Sequence, residues 1–537
     1  METAARSAFL SSLLLLLLFF ATVLFRIGDL PLTGADEPRY ARVAEEMWRA
    51  GRWVTPLLEG RPWLEKPPLY YWITIPHYAL LGPTETAARL GPALCLLISS
   101  LTVWWLGRRL LNPLAGLYAG MILLTAVGFV AFGRSASTDM PFVACLTVSL
   151  ALFCFATIHT GGAVWALLGG YIFLGLAVLG KGPVTIVLVI GTLALFWWLD
   201  EQGGAIRKLR VLPGVFIAAA VAVPWFVLAF RDNGFAFISV FFINHNLMRF
   251  VTDIHHHAEP FYYYVSVFFG ILFPWSGWLP LLAQAIHRGK LSPRREWNRT
   301  ELFLACWCIF PLIFFSLSES KLSGYILPSL PAVALLLGNR LSAVQRDRPC
   351  AFALWFYLGV SVTIAAALVA VFQIRYGGRW QTGLLLAVIA LLPALAVCWQ
   401  GLRGRIKFLA ALTLFHGLIL IIGATQFVFP VLGAYHSTRD IARQALAVRE
   451  GREPIVTYLF FHHTLNYYTD YQITGDLKEP QAVSRFAQSN PSFLLVTETH
   501  RVGDINHLEG LTVSSIGSQG KLRLFHVSRA AEAQRQD

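Results

Sequence analysis

The chain has 537 residues, of which 56% are hydrophobic and only 14% charged, and it carries a formal net charge of +13. A soluble domain is nearer a quarter charged, so this composition excludes an ordinary globular protein and points to a polytopic membrane protein. The excess of positive charge excludes little by itself, because its spacing along the chain decides whether it serves nucleic acid or membrane topology.

A Leu-rich run at 8–25 follows Arg6 and is long enough to cross a bilayer. No small-x-small cleavage site follows it, and Arg26 leads straight into polar sequence, so it reads as a retained membrane helix and not a secretory signal. The polar loop 26–87 comes next and carries DEPRY (Asp36 to Tyr40) and EKPPLYYW (Glu65 to Trp72). Within it, PRYARVAEEMWRA has helical periodicity with Met47 and Trp48 on one side, as expected of an interfacial helix. Further apolar runs lie at 88–107, 113–132, 141–158, 163–180, 183–199, 211–230, 261–286, 301–317, 324–339, 351–372, 382–400 and 408–430. With the first, they make about thirteen spans.

Arg and Lys concentrate in alternate loops: Arg108 and Arg109, then Arg207 to Arg210, Arg288 to Arg299, Arg340 to Arg348, and Arg403 to Lys407. That alternation is the positive-inside pattern, which makes the basicity topological and argues against a nucleic-acid partner. The seven cysteines lie in or beside apolar runs, so no disulfide framework is visible. After Pro430 the composition changes. Ser437 and Thr438 precede IARQALAVRE, a capped amphipathic helix, and PIVTYLFF, SFLLVT and KLRLFHV are short β-type runs. The expected organisation is a membrane domain over 1–430 and an external α/β domain over 431–537.

The polar groups in unusual places map to the external face. They are Asp36, Glu37, Arg39 and Tyr40; Glu65 and Lys66; Arg134 and Asp139 in GRSASTDMP; Lys181 in GKGP; His245, Asn246 and Arg249; and Glu319, Lys321 and Tyr325 in SESKLSGYILP. A single ionisable residue at a span end is usually an interfacial anchor, but this many on one face point to a site. Several cations near a few carboxylates suit a phosphorylated, membrane-borne substrate. Glu37 has a plainer reading as a helix cap.

These motifs, in this order, resemble the bacterial 4-amino-4-deoxy-L-arabinose transferase family, which is related to protein O-mannosyltransferases within the GT-C superfamily. The resemblance covers roughly residues 1–340. It implies an α-helical membrane protein of GT-C type with about 13 transmembrane helices, two membrane-parallel helices in the first loop, and a C-terminal periplasmic α/β domain. It also implies a bacterial inner-membrane enzyme, acting as a monomer with its site facing the periplasm. Such an enzyme moves a sugar from undecaprenyl phosphate to lipid A or a related glycolipid. By this resemblance Arg39, Lys66, Lys181, Arg249 and Tyr325 hold the lipid phosphate. Glu37, Tyr40 and Glu65 count among the substrate-binding groups, and Asp36, Lys66 and Asp139 are the catalytic candidates. Whether Asp36 or Asp139 removes a proton depends on the acceptor, since a hydroxyl must lose one and a phosphate need not.

No cofactor is required by donor chemistry of this kind. The run His255, His256 and His257 raises a divalent metal held by one histidine with Glu65, against the plainer reading of a polar loop. Other sugars (galacturonic acid or a hexose) or other acceptors (lipopolysaccharide core or protein) fit the same motifs. A lipid-linked sugar transporter would need its charges near mid-bilayer and internal repeats, and neither is found.

The alternation of basic loops predicts that 33–85, 231–260 and 435–537 are external. An impermeant thiol reagent on intact cells should label cysteines introduced in those segments, and protection of one placed at position 450 would contradict the topology.

Overall fold

The computed structural model describes residues 2–159, 163–201, 205–248, 259–287, 298–344, 351–506, 508 and 510–530. The chain divides into two compact units, one of Met1–Ile27 with Ala44–Thr425, the other of Gly28–Val43 with Gln426–Asp537.

The first unit is helical. Among the described residues, ten helices are long and apolar enough to cross a membrane, from Ala5–Leu24 to Ile406–His436. Two further spans are broken: Pro113–Thr125 with Val127–Gly133, bent by 67°, and Tyr263–Leu272 with Trp275–Ala283, bent by 108°. That makes ten to twelve candidate spans among the described residues, against about thirteen expected; the run at 183–199 is a shorter apolar helix, Val184–Leu199.

Breaks in a span release backbone groups that hydrocarbon cannot solvate, so they must find partners inside the protein. These two breaks satisfy each other. Val127 N donates to Phe273 O at 2.8 Å, and Trp275 Nε1 donates to Thr125 Oγ1 at 2.9 Å. The close approach requires Gly128, where an added Cβ would lie 2.5 Å from Ile271 Cα. The first span raises the same problem where it loosens into a π-turn at Phe20–Leu24. Arg134 answers it, donating through Nη1 to Thr22 O and Val23 O at 3.0 Å and through Nη2 to Arg26 O at 3.1 Å. Arg134, grouped above with the candidate chemistry, is therefore a clasp on the first helix.

Loops that the charge pattern marks as cytoplasmic meet at one end of this unit. Arg299 makes a bidentate pair with Asp200, Nε to Oδ1 at 3.0 Å and Nη2 to Oδ2 at 2.6 Å. Arg340 pairs with Glu301 at 3.1 Å, and Asn112 Nδ2 donates to Ser342 Oγ at 3.0 Å.

The second unit contains a five-stranded sheet in the order Ile473–Leu477, Ile455–Tyr458, Ser492–Glu498, Leu522–Arg529, Leu511–Gln519. The first three are parallel, joined through helices His463–Tyr468 and Pro480–Ser489, and the last two form an antiparallel hairpin. The small α/β domain expected from the sequence is present. Its edge strands, Ile473–Leu477 and Leu511–Gln519, have no apolar run to mark them in the sequence. The expected cap at Thr438 differs: its hydroxyl pairs with Thr464 Oγ1 at 2.8 Å, and Gln519 Oε1 accepts from Ile441 N at 2.8 Å instead. A glutamine from a distant strand thus serves the helix start.

The Asp200 side chain is 2% exposed, so Arg299→Ala would strand a buried carboxylate. The cost is expected to be about 3–5 kcal/mol, read as a lower melting midpoint in detergent. Removing Asp200 as well should recover most of it. An unchanged midpoint in Arg299→Ala would show that the pair holds nothing.

Candidate active site

In the first unit the helix Asp139–Ile158 begins at Asp139, after a short turn whose Ser137 hydroxyl accepts from Asp139 N at 3.3 Å. The helix Val164–Lys181 ends at Lys181, where Gly182 at φ 78° turns the chain and Pro183 starts the next helix. One helix therefore begins and the other stops at the same level, and Lys181 Nζ forms an ion pair with Asp139 Oδ1. The ammonium also lies 5.3 Å from the centre of the Tyr325 ring and 5.4 Å from that of Phe142. A carboxylate and two aromatic faces so fix one positive charge in a partly buried place.

Tyr325 reaches this spot on the 3-10 turn Ser323–Ser329. Gly324 permits it, since a Cβ there would meet Asp139 Oδ2 and the Phe132 ring at 3.1 Å. The carbonyl of Leu322 accepts from Tyr264 Oη at 3.3 Å, and Trp307 Nε1 donates to Pro328 O at 2.9 Å, so both ends of the turn are pinned. Lys321, in the same motif, is buried with Nζ donating to Ser318 O at 2.6 Å, which is a structural contact.

Lys66 and Glu65 share the bend before Pro67, and Pro68 is the N-cap of helix Leu69–Leu81. Two consecutive prolines restrict the backbone on both sides of the bend, which limits where the half-buried Lys66 can go. His245 lies beside Glu65, with Nε2 3.7 Å from Oε1, a neighbour that no sequence motif announced.

In the second unit, helix Asp36–Ala50 begins at Asp36, and Arg39 Nη2 pairs with Asp36 Oδ1 at 2.5 Å. Glu37 differs from the expected solvated cap: it is buried inside the first turn of the helix and accepts from Thr33 N at 2.8 Å and Thr33 Oγ1 at 3.1 Å, ahead of the helix. Tyr40 is buried too. Burial first, and then the Arg39 guanidinium, push the His463 imidazole down to about 4. The Asp36 carboxylate acts on it in the opposite direction.

The structure brings Asp139, Lys181 and Tyr325 together, Glu65 to His245, and Asp36 to Arg39. Arg249 and the histidines His255, His256 and His257 lie outside the described residues. Among the described residues no group of three or more His, Cys, Asp or Glu side chains is gathered for a metal ion. The sequence reading missed Phe142 and His463, and it singled out His245 without assigning it a role; the neighbours of all three come from distant parts of the chain, so no local signal could have found those contacts.

Residues 65–228 match the family model described as dolichyl-phosphate-mannose-protein mannosyltransferase. The chain is 32% identical over 329 residues to an undecaprenyl phosphate-alpha-4-amino-4-deoxy-L-arabinose arabinosyl transferase of Edwardsiella ictaluri, covering 59% of this chain and 57% of that one. It is 33% identical over 347 residues to the enzyme of the same name from Pseudomonas aeruginosa, covering 62% and 60%. These matches thus span less than two thirds of the relatives' length. Among solved structures, ArnT from Cupriavidus metallidurans bound to undecaprenyl phosphate superposes with a TM-score of 0.76 at 24% identity, over 97% of each chain. An archaeal oligosaccharyltransferase from Archaeoglobus fulgidus follows at 0.53, with 13% identity over 92% of this chain and 70% of that one. The resemblance read from the motifs holds: this chain is similar in sequence to the aminoarabinose transferases and has the GT-C fold of ArnT.

Proposed function

We propose that this protein is an inverting glycosyltransferase of the bacterial inner membrane. It moves a sugar, 4-amino-4-deoxy-L-arabinose, from undecaprenyl phosphate to lipid A or a related envelope glycolipid on the periplasmic side. The observation that carries the reading is the Lys181 ammonium, fixed by Asp139, Phe142 and Tyr325 where two membrane helices meet. The relatives' names and the undecaprenyl phosphate in the ArnT crystal support the donor class.

The donor is a phosphodiester whose anomeric carbon is already activated, so no nucleotide is needed. The acceptor oxygen forms a bond to that carbon from the face opposite the phosphate, and the bond from carbon to phosphate oxygen breaks. Undecaprenyl phosphate leaves with an additional negative charge. Fixed cations at that oxygen lower the barrier because they need no reorganisation as the charge grows. Lys66, Lys181, Arg39 and Arg249 are assigned to it, with Tyr325 as a hydroxyl donor. Asp139 pairs with Lys181 and Asp36 with Arg39, and both are assigned, by the resemblance, as carboxylates near the acceptor or the sugar amine. Among the substrate-binding groups Glu65 has the best support, because Glu37 and Tyr40 are buried and Glu37 is committed to Thr33.

Two outcomes test this reading. Lipid A from cells carrying the wild-type gene should gain the sugar by mass spectrometry. Cells with Lys66→Ala should not, at equal membrane levels of protein. Loss of one such cation is expected to cost about 2.7–4 kcal/mol in rate, and Lys66→Arg is not expected to rescue because its charge is spread over a larger fork. Wild-type modification by Lys66→Ala would remove Lys66 from the site.

The carboxylates separate two acceptor chemistries. With a lipid A phosphate as acceptor, Asp139→Asn and Asp36→Asn should slow transfer yet keep the acidic limb of the pH–rate profile. With a hydroxyl acceptor, one of them should lose about 10²–10⁴-fold and the limb with it. Unchanged kinetics in Asp139→Asn would reduce the site to its cations.

A further inference from the structure

The DEPRY segment belongs with the C-terminal domain and not with the span it follows. Leu32 N donates to Tyr468 Oη at 2.7 Å, and Gly34 N donates to His436 O at 3.1 Å. These two bonds fix main chain just ahead of Asp36. Behind it, Arg42 Nη1 pairs with Asp470 Oδ1 at 2.6 Å, and its guanidinium lies 4.9 Å from the centre of the Tyr471 ring. Arg42 sits one turn after Arg39 on the same helix, so holding Arg42 sets the rotation of the turn that presents Asp36 and Arg39.

The receiving turn is unusual in its backbone. Asp470 and Tyr471 are both left-handed, at φ 51° and 58°. Aspartate tolerates that region, whereas for a bulky residue such as tyrosine it is an outlier. The turn is closed by Tyr471 N donating to Asn466 O at 2.7 Å and Asp470 N donating to Tyr467 O at 3.1 Å. Strain of this kind persists where the surroundings over-determine it, and it collects at clamps and active sites. In this conformation consecutive residues place a carboxylate and an aromatic ring on one guanidinium.

We propose that the turn Thr469–Tyr471 of the C-terminal domain is a latch on Arg42 that positions Asp36 and Arg39 for glycosyl transfer. The inference rests on the role given to the DEPRY residues above. It assigns the C-terminal domain a part in the reaction, with Arg42, Asp470 and Tyr471 as positioning residues. The pair is partly open, Arg42 at 15% and Asp470 at 58% side-chain exposure. Ion pairs this exposed contribute little to global stability. Orientation of reacting groups is far more sensitive, a displacement of about 1 Å being able to cost about 10²-fold in rate. Loss of the latch should therefore appear in turnover and not in melting.

The test uses full-length protein in lipid vesicles, with a glycosyl undecaprenyl phosphate donor and lipid A, and compares Arg42→Ala, Asp470→Ala and the double variant. Each single change is expected to lower kcat about tenfold, with the donor KM and the melting midpoint close to wild type. The double variant should lose no more than either single one, because the two residues act as one device. Arg42→Lys, which keeps the charge, should recover part of the rate. Tyr471→Gly relieves the left-handed strain, so a turn that serves stability alone would melt later and work normally; the latch predicts lower kcat. Wild-type kcat in both single variants, or additive losses in the double one, would overturn the latch while a slowed Asp36→Asn leaves the proposed site standing. Full activity in Asp36→Asn would overturn the role of the DEPRY segment and the latch together.

Discussion

Hydrocarbon solvates neither a free peptide group nor a charge, and most of this molecule follows from that restriction. It explains why the interruptions in the spans come in matched sets. The break at Ala126 and the break before Pro274 share a hydrogen bond, Val127 N to Phe273 O. The loosened end of the first helix is held by Arg134, whose guanidinium takes three carbonyls. At these three places a specific group from another span completes the departure from helix.

The same restriction moves ionisable side chains to the helix ends, where they meet in small sets. At one end they form structural ties, such as Asp200 with Arg299 and Glu301 with Arg340. Elsewhere the set is of another kind. Asp139 starts a helix, Lys181 ends one, and Tyr325 is delivered by a glycine-containing 3-10 turn. The carboxylate and two aromatic rings around Lys181 hold its ammonium in place, which is what a cation must offer to a charge that grows during a reaction.

Residue type alone misjudged several roles, always because a distant partner decided them. Arg134 stands among the candidate polar groups by residue type but donates its hydrogen bonds to backbone carbonyls of the first helix. Lys321 lies in the motif that supplies Tyr325, yet its ammonium is buried on Ser318 O. Thr438 has the position of a cap and is instead paired with Thr464, while Gln519 from the sheet serves the helix. The two polar edge strands of the C-terminal sheet were invisible for a related reason. Edge strands bury one face at most, so QITGDL carries no apolar run to mark it.

The sequence by itself determined the class of the protein. Runs of apolar residues long enough for a bilayer, and the alternation of basic loops, specify a many-span helical protein with a separate α/β tail, because hydrophobic length and charge act locally. Motif order was also sufficient to identify the relatives and to nominate Asp36, Lys66, Asp139, Lys181 and Tyr325. Only the tertiary structure decided which of these meet. Asp139 and Lys181 are brought together by two helices ending at one level, and Arg42, one turn beyond the local Asp36–Arg39 pair, meets Asp470 from more than four hundred residues away in the chain. Contacts of that range depend on packing of whole elements, to which no short stretch of sequence has access.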